Sequence, residues 1–297
     1  MDWFTFTLFA SLFWAFGVVI DKYILTEHMQ DPFSYQLLYA ITEAPILLLP
    51  LFTSISFALP WSALGILGGF GTYLGLILYF RAIAIEEASR VISLLYISPI
   101  FVLPLAFIFL QEVLSWSIYL GAAFIVIGAV LISHRKVKGR RRMLSLTLGL
   151  VLASDVVWAG YEVLTKYVLD SVNYTSYLFW NFIGTAIIAF SLFCVPKIRG
   201  NFLSDIQKLT KTVHFWRIIN TVLSFSGVVF YYIALSSGPV SLVSTTSTLE
   251  PFFVFIMTIP LSLYVPRILK EETRKEVMTV KTVAIIFIIF GTWLLTR

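Results

Sequence analysis

Residues 14–25 read WAFGVVIDKYIL, and residues 158–169 read WAGYEVLTKYVL. The two stretches keep Trp-Ala at the start, Lys-Tyr near the end and Leu last, with identical spacing. One apolar helix is therefore written twice, and the second copy carries Glu162 where the first has Val18. The repeat bears on architecture. The substitution bears on function.

The remainder of the chain is built to match. Hydrophobic residues make up 59% of the 297 and charged residues only 12%, with a mean hydropathy of +0.91, which lies outside the range of soluble globular domains. The fold class is an all-α membrane protein, since about ten segments of roughly 20 residues suffice to cross ~30 Å of hydrocarbon and leave no length for a soluble domain. Met1-Asp2-Trp3 has no basic leader and no small-residue cleavage site follows, so the first apolar segment is expected to be a retained span. Cys194 is the only cysteine, which excludes an internal disulfide.

Apolar windows give spans at 3–21, 35–53, 61–80, 91–110, 115–133, 145–168, 175–195, 214–236, 241–264 and 281–296. Lys and Arg fall on one side of them. Loops after odd-numbered spans contain 19 of the 21, among them Lys22, Arg81, Arg90, the run HRKVKGRRR (134–142) and Lys197 to Arg217, against Lys166 and Arg297 opposite. That bias places the basic run in the cytoplasm and both termini outside, in an integral, multi-pass protein of the cell membrane. The pI of 9.2 then reflects topology and contact with membrane lipids rather than nucleic acid. Between spans seven and eight, Phe202, Ile206, Leu209 and Val213 recur at helical spacing, which describes an amphipathic connector.

The duplication extends beyond the opening stretch. GLILYFRAIAIEEASRVISLLYISP (75–99) aligns without a gap on GVVFYYIALSSGPVSLVSTTSTLEP (227–251), and FIVIGAVLI (124–132) on FIIFGTWLL (287–295). Residues 1–133 form one five-helix repeat, 134–144 a basic cytoplasmic linker and 145–297 the second repeat. Five is odd, so the second copy must enter the membrane from the opposite side. An inverted repeat of this kind places a substrate site near the midplane, between the halves.

In the doubled WAxxxxxxKY segment, in Ala82, Ser89 and Pro99 repeated as Ala234, Ser241 and Pro251, and in QEVLSWSIYLGAAFIVIGAVLI (111–132), the chain resembles the EamA-type members of the drug/metabolite transporter superfamily. The resemblance covers nearly the whole chain, with a departure where RILKEETRKE interrupts the second half. It implies ten helices in two inverted halves, a central cavity lined by spans one, three, four, six, eight and nine, and export or uptake of small metabolites without a nucleotide.

Differences between the copies point to the site. Ser11 becomes Asp155, Val18 becomes Glu162 and Ser98 becomes Glu250, and a carboxylate at the centre of a span costs on the order of 3 kcal/mol. Asp155, Trp158, Glu162 and Lys166 share one helix face. The expected substrate-binding residues are Trp14, Tyr79, Tyr96, Trp158, Glu162, Tyr231, Thr245 and Glu250. Proton coupling is assigned to Glu250, which follows STTSTL and precedes Pro251, and to Asp155. The structural alternatives are an ion pair of Glu162 with Lys166 and interhelical hydrogen bonds for Asp155 and for Glu43, the last of which the family outline makes peripheral. With Lys166 as the basic group inside the spans, the substrate is expected to be a cationic or zwitterionic small molecule.

No Walker motif is present, the Gly69 to Gly75 stretch misses the dinucleotide fingerprint, and His28, His134 and His214 are scattered, so no cofactor, metal site or enzymatic triad is expected. Gly65xxxGly69 and Gly71xxxGly75 read as close helix packing. The competing functions are a lipid-handling or scaffold protein and an intramembrane enzyme. Topology has a direct check: with Cys194 replaced, a cysteine put at Lys138 should stay unlabelled by an impermeant thiol reagent in intact cells, and labelling there would reverse the assignment.

Overall fold

The computed structural model describes residues 2–29, 31–85, 91, 95, 97–132, 141–250, 252–254, 256–257 and 275–295. Among them it shows helices only: α1 (Trp3–Glu27), α2 (Pro32–Glu43), a 3₁₀ helix (Ala44–Leu51), α3 (Trp61–Ile85), α4 (Pro99–Leu110), α5 (Trp116–Ile132), α6 (Arg141–Leu169), α7 (Tyr174–Phe193), α8 (Pro196–Lys208), α9 (Lys211–Ser237), α10 (Val240–Ser247) and α11 (Lys275–Leu295). Five of these, α1, α3, α6, α7 and α9, contain apolar stretches long enough to cross a membrane alone. Tyr96, Pro251, residues 134–140 of the basic run and most of RILKEETRKE lie outside the described residues.

Local chemistry sets the helix starts. Asp2, Asp31, Asn173 and Thr210 each accept the backbone N–H three residues on, as N-caps do. The side chain of Asn173 is thus engaged by Ser176 at 2.8 Å. Span two departs from the continuous helix expected over 35–53. Pro45 has no N–H for the carbonyl of Ile41 and its ring crowds that carbonyl, so the Ala44 N–H takes it instead and the chain tightens into the 3₁₀ helix. Glu43 stands at the switch. The connector between spans seven and eight is the helix α8, with Phe202 buried.

Helices pair across the halves. α1 packs along α9, α3 along α6 and α7, and α5 along α11. Small residues make these approaches possible. A Cβ added at Gly69 would lie 2.0 Å from the carbonyl oxygen of Asn181, and one at Gly184 would lie 2.1 Å from that of Ile66, so α3 and α7 touch backbone to backbone. Gly128 and Gly291, matched positions in the aligned FIVIGAVLI and FIIFGTWLL, bring α5 and α11 together in the same way.

Candidate functional site

The repeat recurs as geometry around the cavity. Trp14 on α1 lies over Gly227 of α9, where a Cβ would sit 2.6 Å from its indole nitrogen, and Trp158 on α6 lies over Gly75 of α3, where the corresponding distance is 2.1 Å. Each tryptophan also meets the aligned tyrosine of the other half. Trp14 and Tyr231 have ring centroids 5.1 Å apart, Tyr79 and Trp158 5.8 Å apart, at nearly equal tilts of 49° and 47°. Glycine at 75 and 227 is what lets an indole reach the helix backbone.

These four rings help enclose a cavity of about 290 Å³. Of the residues singled out from the sequence, Trp14, Tyr79, Trp158, Glu162, Tyr231 and Glu250 line it. Thr245 does not: it is 1% exposed and its hydroxyl donates to the Ser241 carbonyl at 2.7 Å. Asp155 is fully buried and also outside the lining, with neither carboxylate oxygen hydrogen-bonded among the described residues. Tyr96 cannot be placed, since it lies outside the described residues.

Two structural alternatives for the carboxylates are revised. Lys166 pairs with Asp170, just past the end of α6, at 2.8 Å, and not with Glu162. Glu162 instead faces the cavity beside Ser244 and Tyr231, and its Oε2 is buried without a hydrogen-bond partner among the described residues. Glu43, expected at the periphery, lines the cavity as well, because α2 and α7 take part in the wall alongside the helices of the family outline. It makes no interhelical hydrogen bond among the described residues.

Sequence reading missed a charge cluster at one end of the cavity. Arg217, counted with the basic loop before span eight, lies inside α9 and is 1% exposed. Its guanidinium donates to Thr42 Oγ1 at 2.9 and 3.2 Å and to the Tyr35 hydroxyl at 3.3 Å. It sits 3.6 Å from Asp21 and covers the Tyr39 ring at 3.8 Å. Asp21, 7% exposed, also accepts from the Tyr35 hydroxyl and from Asn220 Nδ2. Lys22, likewise assigned to a loop, belongs to α1. Thr165, the residue aligned with Asp21 in the second copy, has a neutral partner instead: Tyr177 meets it at 2.6 Å, and Tyr161 meets Tyr232 at 2.6 Å.

The halves are joined again at Glu112, whose carboxylate accepts from the N–H groups of Val240 and Ser241 at 2.8 and 3.1 Å. These are free donors at the start of α10, where a negative charge is favoured. Past that helix the backbone tightens into 3₁₀-type bonding: Thr248 and Leu249 donate three residues back, at 3.3 and 3.1 Å. The Ser247 carbonyl receives the Ser11 hydroxyl at 3.4 Å.

The model of the EamA-like transporter family matches residues 1–134 and 145–297. A solved structure described only as the crystal structure of a protein superposes with a TM-score of 0.69 at 15% identity, over 98% of this chain and 96% of that one, which establishes a shared fold. No curated protein matches in sequence.

Removing one member of a buried ion pair leaves an uncompensated charge, at about 3–5 kcal/mol. Arg217→Leu should therefore lower the melting temperature in detergent strongly. Adding Asp21→Asn to it should restore much of the loss. Equal melting temperatures for wild type and Arg217→Leu would show that the pair does not hold α1 to α9.

Proposed function

Because the chain belongs to the EamA-like transporter family and is a membrane transporter of small molecules, we propose that it carries cationic or zwitterionic, partly apolar organic metabolites, amines and amino acids among them. Ten spans in two inverted halves move by alternating access, with both termini outside the cell membrane. No chemistry is done on the substrate.

The observation that supports this reading is the charge of the cavity. Asp21, Glu43, Glu162 and Glu250 are in its lining, whereas none of the described lining residues is Lys, Arg or His. Aromatic faces complete the wall, and a ring face attracts an organic cation. A phosphorylated sugar would call for several Lys or Arg donors in their place.

Exchange needs a group that is neutral in one access state and charged in the other. A carboxyl that carries a proton when the cation is absent avoids the burial cost, and the arriving cation replaces the proton. Glu250 is the residue for that exchange. It is 9% exposed, lines the cavity, and follows the 3₁₀-type turn that ends α10. Asp155, buried behind the wall, is the second acidic group on the route.

Glu250→Gln keeps size and hydrogen bonding while fixing the neutral form. In proteoliposomes it should fold and bind amines or amino acids weakly, yet lose uptake or efflux driven by a pH gradient. Transport with the wild-type pH dependence would make Glu250 structural and pass the role to Asp155.

A further inference from the structure

Charge in the cavity wall is unevenly compensated. Arg217 is matched to Asp21 at 3.6 Å, its remaining donors are held by Thr42 and Tyr35, and it stands behind the wall rather than in it. Glu43, next in sequence to Thr42, feels that positive charge but makes neither an ion pair nor a hydrogen bond among the described residues. Glu162 has no cation near it among the described residues. One arginine therefore serves Asp21 and Glu43 together, and Glu162 has only the neutral Ser244 and Tyr231 beside it.

Glu43 and Glu162 lie in different surroundings. The charges around Glu43 are Arg217 and Asp21, the charge near Glu162 is Asp155, and none is common to both. One comes from α2 of the first half, the other from α6 of the second. Beside each stands a buried tyrosine hydroxyl without a hydrogen-bond partner among the described residues: Tyr73, 2% exposed, near Glu43, and Tyr231, 3% exposed, near Glu162. Both tyrosines line the cavity. Gln36, 1% exposed and also in the lining, leaves both its amide oxygen and nitrogen unpartnered.

A buried hydroxyl or amide without a partner costs about 1–3 kcal/mol, so four such atoms facing one cavity call for a ligand that supplies partners. A primary ammonium fits each carboxylate and tyrosine together, because it offers three donors and a full positive charge. A quaternary ammonium has the charge without the donors. The wall also contains Ile46, Leu76, Leu178, Phe182 and Val228, an apolar surface suited to methylene groups.

We propose that the cavity contains two ammonium subsites, Glu43 with Tyr73 and Glu162 with Tyr231, and that the substrates it selects are primary diamines or polyamines with amines at both ends of a short apolar chain. The inference rests on the reading of the protein as a carrier of organic cations and narrows it. A monoamine satisfies one subsite and leaves the other to be neutralised by a proton. An amino acid brings its own carboxylate towards a second carboxylate, which is repulsive at close range.

The test is calorimetric titration of the purified full chain with putrescine and cadaverine, each against the monoamine of equal chain length, butylamine and pentylamine. At least one diamine should bind about tenfold or more tightly than its monoamine. Glu43→Gln and Glu162→Gln should each erase that preference. Equal affinities of wild type for diamines and monoamines would overturn the two-subsite inference while leaving the organic-cation reading intact. A diamine preference that survives both substitutions would overturn the assignment to these residues. Failure to bind any amine or amino acid would overturn both readings. The wild-type comparison decides the inference even if a variant does not fold.

Discussion

A carboxylate inside a lipid-embedded helix bundle must meet a cation, a proton or a polar cavity, since hydrocarbon solvates it with none of these. Among the described residues, this chain brings four carboxylates to one cavity wall and the buried Arg217 behind it. The arginine is held by Asp21, Thr42 and the Tyr35 hydroxyl, with the Tyr39 ring beneath it, so α1, α2 and α9 meet around one charge. Its position divides the acids into one that holds structure and others that face the cavity. Asp21 belongs to the first kind and Glu162 to the second.

The cavity exists because one helix pairing is made twice. Trp14 over Gly227 and Trp158 over Gly75 place an indole from each half against the backbone of the other, with Tyr231 and Tyr79 closing on them. A side chain at either glycine would occupy the space of the indole. Where the two copies differ, the difference is in charge. Asp21 is held by Tyr35 and Arg217, whereas its aligned residue Thr165 pairs neutrally with Tyr177, near the neutral pair of Tyr161 with Tyr232. Glu112 ties the halves by a different device, a carboxylate on the free N–H groups of α10.

Much of this was legible in the sequence, for physical reasons. Repetition marks the helices that must occupy equivalent places, which is why Trp14, Trp158, Tyr79 and Tyr231 emerged together. Substitution between copies marks where the wall changes chemistry, which brought out Glu162 and Glu250. Arg217 was hidden by its neighbours, because a basic residue seven positions after Thr210, close to Lys208 and Lys211, looks like the end of a cytoplasmic loop. Its aspartate partner lies in a span that reads as apolar throughout, and only the tertiary pairing of α1 with α9 joins the two. Glu43 was misjudged on the family outline, and the effect of Pro45 on the helix, which sets the α-to-3₁₀ switch there, is a local rule that was available. Thr245, expected at the site, has its hydroxyl taken by the preceding turn of its own helix.

In the proposed function, proton exchange at buried carboxyls is the step on which transport depends. It is tested most directly by following pH in a weakly buffered detergent solution of the purified protein as an amine is bound at neutral pH. Net proton release of about one or more per bound cation is the expected result, because the arriving charge replaces a proton that offset the cost of burial. Saturable binding of the same amine with no release of protons would contradict it, and would leave the cavity carboxylates as fixed charges rather than the coupling groups of a transporter.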